Sequence, residues 1–373
     1  KLLNMIHKTI TILFALLTFS FHSKSQTKAK PHIIIFFVDD MGWADWGVRN
    51  PGFNTPNLNQ LKKDGMEFTR AYVATPTCSP SRASLLTGRE PVRFTMPRHV
   101  SDRGAKNAAN EYNYWPTDPV HMPSRNWLPL NEITYAEKLN EYDYYNQFIG
   151  KWHLGEEAYY PAKQGFDAEI GVTGFGQPGS YYPPYWKNDN PFPGAKDEYL
   201  TDVLTDSAVN FIKTYNKNKP FELSFYHYGV HGPIIGKKEF IAQYKAKGWE
   251  DKYAEYGAMV TAVDESLGRL RKALKEKGIA DNTIILFTSD QGGYFSNYPL
   301  RGKKLGGHTL GEGGARVPFV LYWPGKTKAG SECNVPIQTL DVYPTLVEIV
   351  SGKPCTDTQI QGKSLLPLVV HYA

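Results

Sequence analysis

The sequence predicts an α/β protein built on a large mixed, mostly parallel central sheet with helices on both faces. Three observations carry that prediction. Apolar runs at 33–38 and 283–289 read as strands buried on both faces, which is the pattern of parallel strands, and 221–228 reads as a further strand. Helical patterns at 54–63, 134–140, 199–216 and 253–277 alternate with them, and parallel strands need such crossovers. Several runs end in charged residues followed by glycine or proline. In open α/β sheets that edge is where ligands collect.

Taken in order, Ile33-Ile-Ile-Phe-Phe-Val lies between Pro31 and Gly42 and closes on Asp39-Asp40. Residues 54–63 read as a helix with proline in its first turn, closed by Asp64-Gly65. Residues 68–74 read as a short strand leading to Cys78. In Thr75-Pro-Thr-Cys-Ser-Pro-Ser-Arg-Ala-Ser-Leu-Leu-Thr-Gly-Arg89 the chain turns into a helix. Ser79 offers N-cap chemistry there and Pro80 a preset first-turn dihedral. Arg82 lies about one turn after Cys78, so both can face one pocket. Residues 93–129 and 156–193 read as long loops, the second rich in Gly, Pro, Tyr and Trp. Loops of that length in compact domains are usually functional. Between them, 134–140 reads as a helix and 143–149 as a strand feeding Gly150-Lys-Trp-His-Leu-Gly155.

Residues 199–216 read as an amphipathic helix with Val203, Val209, Phe211 and Ile212 as core candidates. The strand at 221–228 ends near Val230-His231-Gly-Pro233. The longest helix, 253–277, carries Met259, Val263, Leu267 and Leu270 on one face. The strand at 283–290 ends in an acid followed by Gln291-Gly-Gly293. A further strand at 317–323 and a helix at 342–350 complete the pattern, with no internal repeat or heptad.

The 373 residues can bury one large core or two to three smaller ones. With 41% hydrophobic and 21% charged residues the chain is not of disordered type. Its 24 Tyr and 8 Trp suit stacking on sugar rings, and equally core packing. Lys8 precedes an apolar run at 9–19, too short to span a bilayer, and small residues Ser23 and Ser25 stand before Gln26. Residues 1–25 are therefore expected to be a cleavable export signal, with Met5 as its start and 1–4 lying upstream. That places the mature chain in a secreted or periplasmic location without a membrane span. Its removal takes Lys1, Lys8 and Lys24 and no acid, lowering the formal +5 to about +2. A nucleic-acid-binding balance is thereby excluded. If Cys78 is used for chemistry, Cys333 and Cys355 remain, and an exported chain can join them or leave both free. The chain closes on Ser364-Leu-Leu-Pro-Leu-Val-Val-His-Tyr-Ala373, a run that reads as the start of an element.

Asp39, Asp40, Asp290 and Gln291 each follow a buried strand, so folding can bring both pairs to one sheet edge. Three carboxylates and an amide oxygen suit Ca²⁺, or less well Mg²⁺, rather than a softer metal. Without a cation the three charges repel. Lys151 and His153 lie two apart in an extended-looking segment and project the same way. His231 and the basic run Arg301-Gly-Lys303-Lys304 follow strands at the same presumptive edge.

Seven blocks in order now resemble the formylglycine-dependent (type I) sulfatases, over residues 31–368. They are F-F-V-D-D-M-G-W, the C-S-P-S-R block, I-G-K-W-H-L-G, V-H-G-P, F-T-S-D-Q-G-G, P-L-R-G-K-K with E-G-G-A-R-V-P, and Q-G-K-S-L-L-P-L. The resemblance implies an alkaline-phosphatase-like fold, with residues 26–355 as the catalytic domain and 356–373 as the start of a truncated C-terminal subdomain, and oxidation of Cys78 to formylglycine by a separate maturation enzyme. The hydrated aldehyde would attack sulfur in line and release the alcohol, and its second hydroxyl would then expel sulfate. Asp39, Asp40, Asp290 and Gln291 would hold calcium. Arg82, Lys151 and Lys304 would neutralise sulfuryl charge. His153 would act as the base, and His231 with Lys304 would protonate the leaving oxygen.

Two departures from the family pattern stand out. Gln291 replaces the usual Asn, and residues 305–311 lengthen the gap before E-G-G. That leaves Lys303 as a rival to Lys304, and His308 as either a substrate contact or a plain loop residue. The aromatic loops point to sulfated polysaccharide or oligosaccharide, as for a bacterial polysaccharide sulfatase. The rivals are a phosphate or phosphonate ester hydrolase on the same scaffold, which would want more metal ligands, and an unmodified, non-catalytic sulfated-glycan-binding protein.

Overall fold

The runs predicted as buried strands lie together in one eight-stranded sheet of the computed structural model, which describes residues 30–101, 110–114, 118–188, 190–193, 196–304 and 310–372. Its strands are β1 (His32–Val38), β2 (Met66–Phe68), β3 (Tyr145–Gly150), β4 (Ala168–Ile170), β5 (Phe221–Tyr226), β6 (Thr283–Ser289), β7 (Phe319–Tyr322) and β8 (Ser331–Cys333). They are ordered β8-β2-β7-β6-β1-β5-β3-β4. From β6 to β4 every pairing is parallel, while β7 runs antiparallel to both β6 and β2. The sheet is thus mixed and mostly parallel, as expected.

Alternate residues of β1 feed two cores, which is why the run is apolar without interruption. Ile33, Ile35 and Phe37 join one, and Ile34, Phe36 and Val38 the other. The first core is completed by α2 (Cys78–Thr87), α3 (Tyr135–Asn140) and α7 (Val342–Ser351). The second is completed by α1 (Pro56–Asp64), α4 (Leu200–Thr214) and α6 (Asp251–Lys277), with α5 (Lys238–Lys245) packed on α6. Each fully buried Leu, Ile or Phe contributes about 1.5–3 kcal/mol through the water it sheds. Two layers of helices on one sheet are the economical way to bury this many.

The structure corrects several expectations. The strand at 68–74 splits, because Ala71–Tyr72 leaves the main sheet for a three-stranded one with Arg316–Val317 and Ile337–Gln338. The strand at 317–323 breaks at Pro318, which has no N–H to give a ladder. Along α4 the buried face is Leu200, Leu204, Ala208 and Ile212; Val203, Val209 and Phe211 are only half-buried. The seam with α6 decides this, and Thr205 Oγ1 meets Ser266 Oγ across it at 2.7 Å. Cys333 and Cys355 are free: Cys333 is buried in edge strand β8, while Cys355 is half-buried in the chain beyond α7. The export signal expected at 1–25 lies outside the described residues. Among the described residues no helix is long and apolar enough to cross a membrane.

Candidate active site

Four neighbouring parallel strands deliver the site. β1 and β6 run in register, Val38 opposite Ser289, so Asp39-Asp40 and Asp290-Gln291 emerge side by side. The junction is then tied. Asp290 N–H donates to the Val38 carbonyl at 3.2 Å, Asp40 N–H to Asp290 Oδ1 at 3.0 Å, and Met41 N–H to Ser289 Oγ at 3.0 Å. On the other side of β1, β5 leads to Gly229, whose carbonyl accepts Asp39 N–H at 2.9 Å. β3 leads through Gly150 to Lys151, whose N–H meets the Tyr226 carbonyl at 2.8 Å. Only glycine fits at 150. Its φ is +107°, and a Cβ there would stand 1.9 Å from the Tyr226 oxygen.

Cys78 opens α2, 8% exposed, at the helix end that favours negative charge. Thr77 is the N-cap residue rather than Ser79. The Ser79 hydroxyl instead accepts Val100 N–H at 2.9 Å and so anchors the chain at Val100 beside the site. Val100 also offers its carbonyl to His153 Nε2 at 3.2 Å. One turn along, Arg82 is fully buried. Its guanidinium donates to Asp290 Oδ2 at 2.9 Å and to the Lys151 carbonyl at 2.9 Å, and lies 3.2 Å from Asp39 Oδ1. Lys151 Nζ donates to Asp39, and Lys304 Nζ to Asp40 and, at 3.3 Å, to the Tyr294 hydroxyl. His231 Nε2 stands 3.6 Å from Asp40, with Nδ1 2.8 Å from the Gly232 carbonyl. Gln291 donates its amide to Cys78 Sγ at 3.0 Å.

Ten of the twelve predicted positions therefore converge. Lys303 does not: it is exposed while Lys304 is buried in the cluster. His308 lies outside the described residues. Two members, Asp40 at φ 61° and His153 at φ 55°, adopt left-handed backbone. Each costs roughly 1–3 kcal/mol and is held only by its surroundings.

The electrostatics follow from this packing. Burial alone would push the Cys78 thiol up, but Lys151 and Lys304, with hydrogen bonds from His153 and His231, hold it well below its ordinary value. Burial disfavours charge on His231 and on Lys304, yet Asp40 outweighs it and raises both. Burial and then Asp39 push Asp290 up to about 7 against the pull of Arg82.

Sequence reasoning missed the supports. Tyr294 accepts Gly232 N–H at 3.2 Å as well as Lys304. Asp45, fully buried, accepts Gly42 N–H at 2.7 Å and the Tyr256 hydroxyl at 2.6 Å, fixing the turn after β1. The M-G-W-x-D spacing after Asp40 was the available signal for Asp45; Tyr294 and Tyr256 had none. The aromatics of the second loop also turn inward. Tyr181, Tyr185 and Trp186 are buried, and the Tyr181 hydroxyl holds the carbonyls of Tyr228 and His231 at 2.7 and 2.8 Å.

A family model described as Sulfatase matches residues 31–352. N-acetylgalactosamine-6-sulfatase of Mus musculus is 32% identical over 368 residues, spanning 91% of this chain and 66% of its own length. The chain thus covers just under two thirds of such curated relatives. The crystal structure of Ps i-CgsB in complex with k-i-k-neocarrahexaose superposes with a TM-score of 0.78 at 32% identity, over 92% of this chain and 77% of that one. PsFucS1 sulfatase from Pseudoalteromonas sp. gives 0.68 at 27%, over 93% and 73%.

Proposed function

The chain belongs to the sulfatase family, and from that premise we propose that it hydrolyses sulfate esters on carbohydrates with position 78 as nucleophile. One observation carries the reading. Cys78 stands at a buried helix N-terminus where three strand-end carboxylates and an amide, three cationic side chains and two histidines meet. Converted to formylglycine by a separate enzyme, position 78 supplies a hydrated aldehyde, and Sγ marks where one of its hydroxyls would lie.

A calcium ion fits the acids. Asp40 Oδ1 is fully buried without a hydrogen-bond partner, a costly state that a hard cation relieves, and Asp39 Oδ1 beside it meets only the Arg82 guanidinium at 3.2 Å. Asp39, Asp40, Asp290 and the Gln291 amide oxygen would hold it, and when bound it polarises a sulfate oxygen as a Lewis acid.

The chain's own side chains do the rest. Arg82, Lys151 and Lys304 oppose charge growing on the sulfuryl oxygens in a pocket that excludes water. His153, hydrogen-bonded to position 78 and to the Val100 carbonyl, takes the proton of the hydroxyl there. His231, whose charged form Asp40 favours against burial, gives its proton to the leaving sugar oxygen, with Lys304 beside the same carboxylate. The names of the matched relatives, which include an aminosugar sulfatase and a protein bound to a neocarrahexaose, support a sulfated saccharide as substrate. Export through residues 1–25 belongs to the same reading.

A peptide mass spectrum across Cys78 in protein from its natural source, paired with turnover of matched sulfate and phosphate esters, tests it. The aldehyde mass and a sulfate preference are expected. An intact thiol throughout points to the non-catalytic glycan binder, and a phosphate preference to the ester-hydrolase rival; either would overturn the proposal.

A further inference from the structure

We propose that while Cys78 remains a thiol, the pocket binds one thiophilic divalent cation of the zinc type on Asp40, Cys78 and His231. The inference rests on the reading of position 78 as a residue with two chemical states, and it concerns the state that precedes conversion.

The ligand atoms of these three residues lie within 4.8 Å of one another. Sulfur, nitrogen and oxygen donors at about 2.0–2.3 Å from a tetrahedral ion stand roughly 3.3–3.8 Å apart, so closing the triad takes about 1 Å. One edge is already there, since His231 Nε2 is 3.6 Å from Asp40 Oδ2. Two independent features point to a cation. Asp40 Oδ1 is fully buried and has no hydrogen-bond partner. His231 Nδ1 faces the Gly232 carbonyl at 2.8 Å, which holds the ring with Nε2 toward Asp40, and a bound cation would take the place of the Nε2 proton. Metal-bound imidazoles are oriented in this way, with the second N–H held by a carbonyl.

The donor set decides which metal. Asp39, Asp40, Asp290 and Gln291 offer only oxygen and suit a hard ion. Adding a thiolate and an imidazole shifts the preference to zinc and its soft neighbours, for which calcium does not compete. The ion itself supplies the thiolate, because binding displaces the thiol proton. Lys304 must yield Asp40 to the incoming ion, and it already has a second partner in the Tyr294 hydroxyl at 3.3 Å. Conversion of Cys78 to an aldehyde deletes the only soft donor of the triad. Position 78 therefore selects the metal as well as the reactivity, and the zinc-bound thiol form is a silent state of the enzyme.

The test uses the full chain with an intact Cys78 thiol, verified by peptide mass, stripped with chelator and titrated with Co²⁺ as a spectroscopic stand-in for zinc. One equivalent should bind and give a thiolate-to-cobalt charge-transfer band. Zinc should abolish the band, and excess calcium should not. Cys78→Ser should lose it with an unchanged circular dichroism spectrum, and His231→Gln should weaken and shift it. A Cys333→Ser, Cys355→Ser double variant should keep it. Absence of the band, or its survival in Cys78→Ser, would overturn the proposal. The two readings fail separately. A converted enzyme that cleaves sulfate while its thiol form shows no band sinks this inference alone. A thiol form with the band, whose converted counterpart leaves sulfate esters intact, sinks only the sulfatase reading.

Discussion

Replacing Gly176 by alanine tests the role given to His153 with a single methyl group. A Cβ at 176 would stand 2.4 Å from His153 Cε1, 2.6 Å from Nε2 and 2.8 Å from Nδ1. Ordinary contact begins at 3.4 Å, so the ring or the loop must give way by about 1 Å in an interior packed like a crystal. The ring has little room. His153 is 4% exposed, its Nε2 is held by the Val100 carbonyl at 3.2 Å, and its backbone already sits at φ 55°. Overpacking of this kind costs about 1–3 kcal/mol of stability, and a reacting group misplaced by ~1 Å loses about 100-fold in rate. Gly176→Ala should therefore lower kcat on a sulfate ester by roughly 10–100-fold. Its KM should stay near wild type, because a proton acceptor acts in the transition state more than in binding. The assay is steady-state turnover of a chromogenic sulfate ester by chains with equal formylglycine content, alongside thermal unfolding to confirm a folded variant. A kcat within about twofold of wild type would refute the argument that His153 must stay in place.

Three further perturbations follow, two within the site and one outside it. Arg82→Leu leaves Asp39 and Asp290 facing each other without the fully buried guanidinium. It should destabilise the metal-free chain by about 3–5 kcal/mol in urea unfolding, with added calcium restoring more stability than in wild type; a loss under ~1 kcal/mol would contradict the buried pairing. Lys304→Ala should abolish turnover, since Lys304 is the cation on Asp40, whereas exposed Lys303→Ala should stay within about threefold of wild type in kcat; equal losses in kcat would remove the distinction. The fourth concerns pH. Burial, offset in part by hydrogen bonds from Leu58 and Asn57, pushes Asp264 from 3.8 up to about 6. The native state then holds a proton that the unfolded chain has lost, so stability present below pH ~4 declines as pH rises through ~6, by up to about 3 kcal/mol. Asp264→Asn should flatten that portion of the stability–pH profile, and parallel profiles from pH 4 to 7 would count against it.

What the sequence disclosed, and what it hid, divides along physical lines. β1 and β6 were legible because burial on both faces leaves an apolar run, and their terminal Asp39, Asp40 and Asp290 were legible because charge at the end of such a run needs a reason; in β5 the buried Glu222 and Ser224 interrupt the pattern. The blocks around Cys78 and Lys151 carried the rest. Periodicity failed on α4, where several apolar stripes compete and only contact with α6 selects Leu204 and Ala208 over Val203 and Val209. Composition failed on the second loop. Tyr181 and Trp186 read the same whether they stack on sugar or pack inward, and here they pack inward. Tyr294, Tyr256 and Gly176 were invisible because each acts only through a partner distant in the chain. For Gly176 the partner is His153, and the residue matters through the atom it lacks.

The charges at the site point to how it changes on loading. Without a metal, each acid already has a cation: Asp39 takes Lys151, Asp40 takes Lys304, and Arg82 spans Asp39 and Asp290. This pairing keeps three buried carboxylates from repelling one another apart. It also ties up the groups that a sulfate would need. A divalent cation on Asp40 Oδ1, which has no hydrogen-bond partner, and on Asp39 competes with the ammonium groups for the same carboxylates. It therefore loosens Lys151 and Lys304 from them at the point where a sulfate ester arrives. On this argument metal and substrate should bind with positive coupling, and the two lysines should carry it. Calcium affinity measured with and without inorganic sulfate should differ in the wild-type chain and differ less in Lys304→Ala, since that variant has lost one of the groups being handed from carboxylate to sulfate.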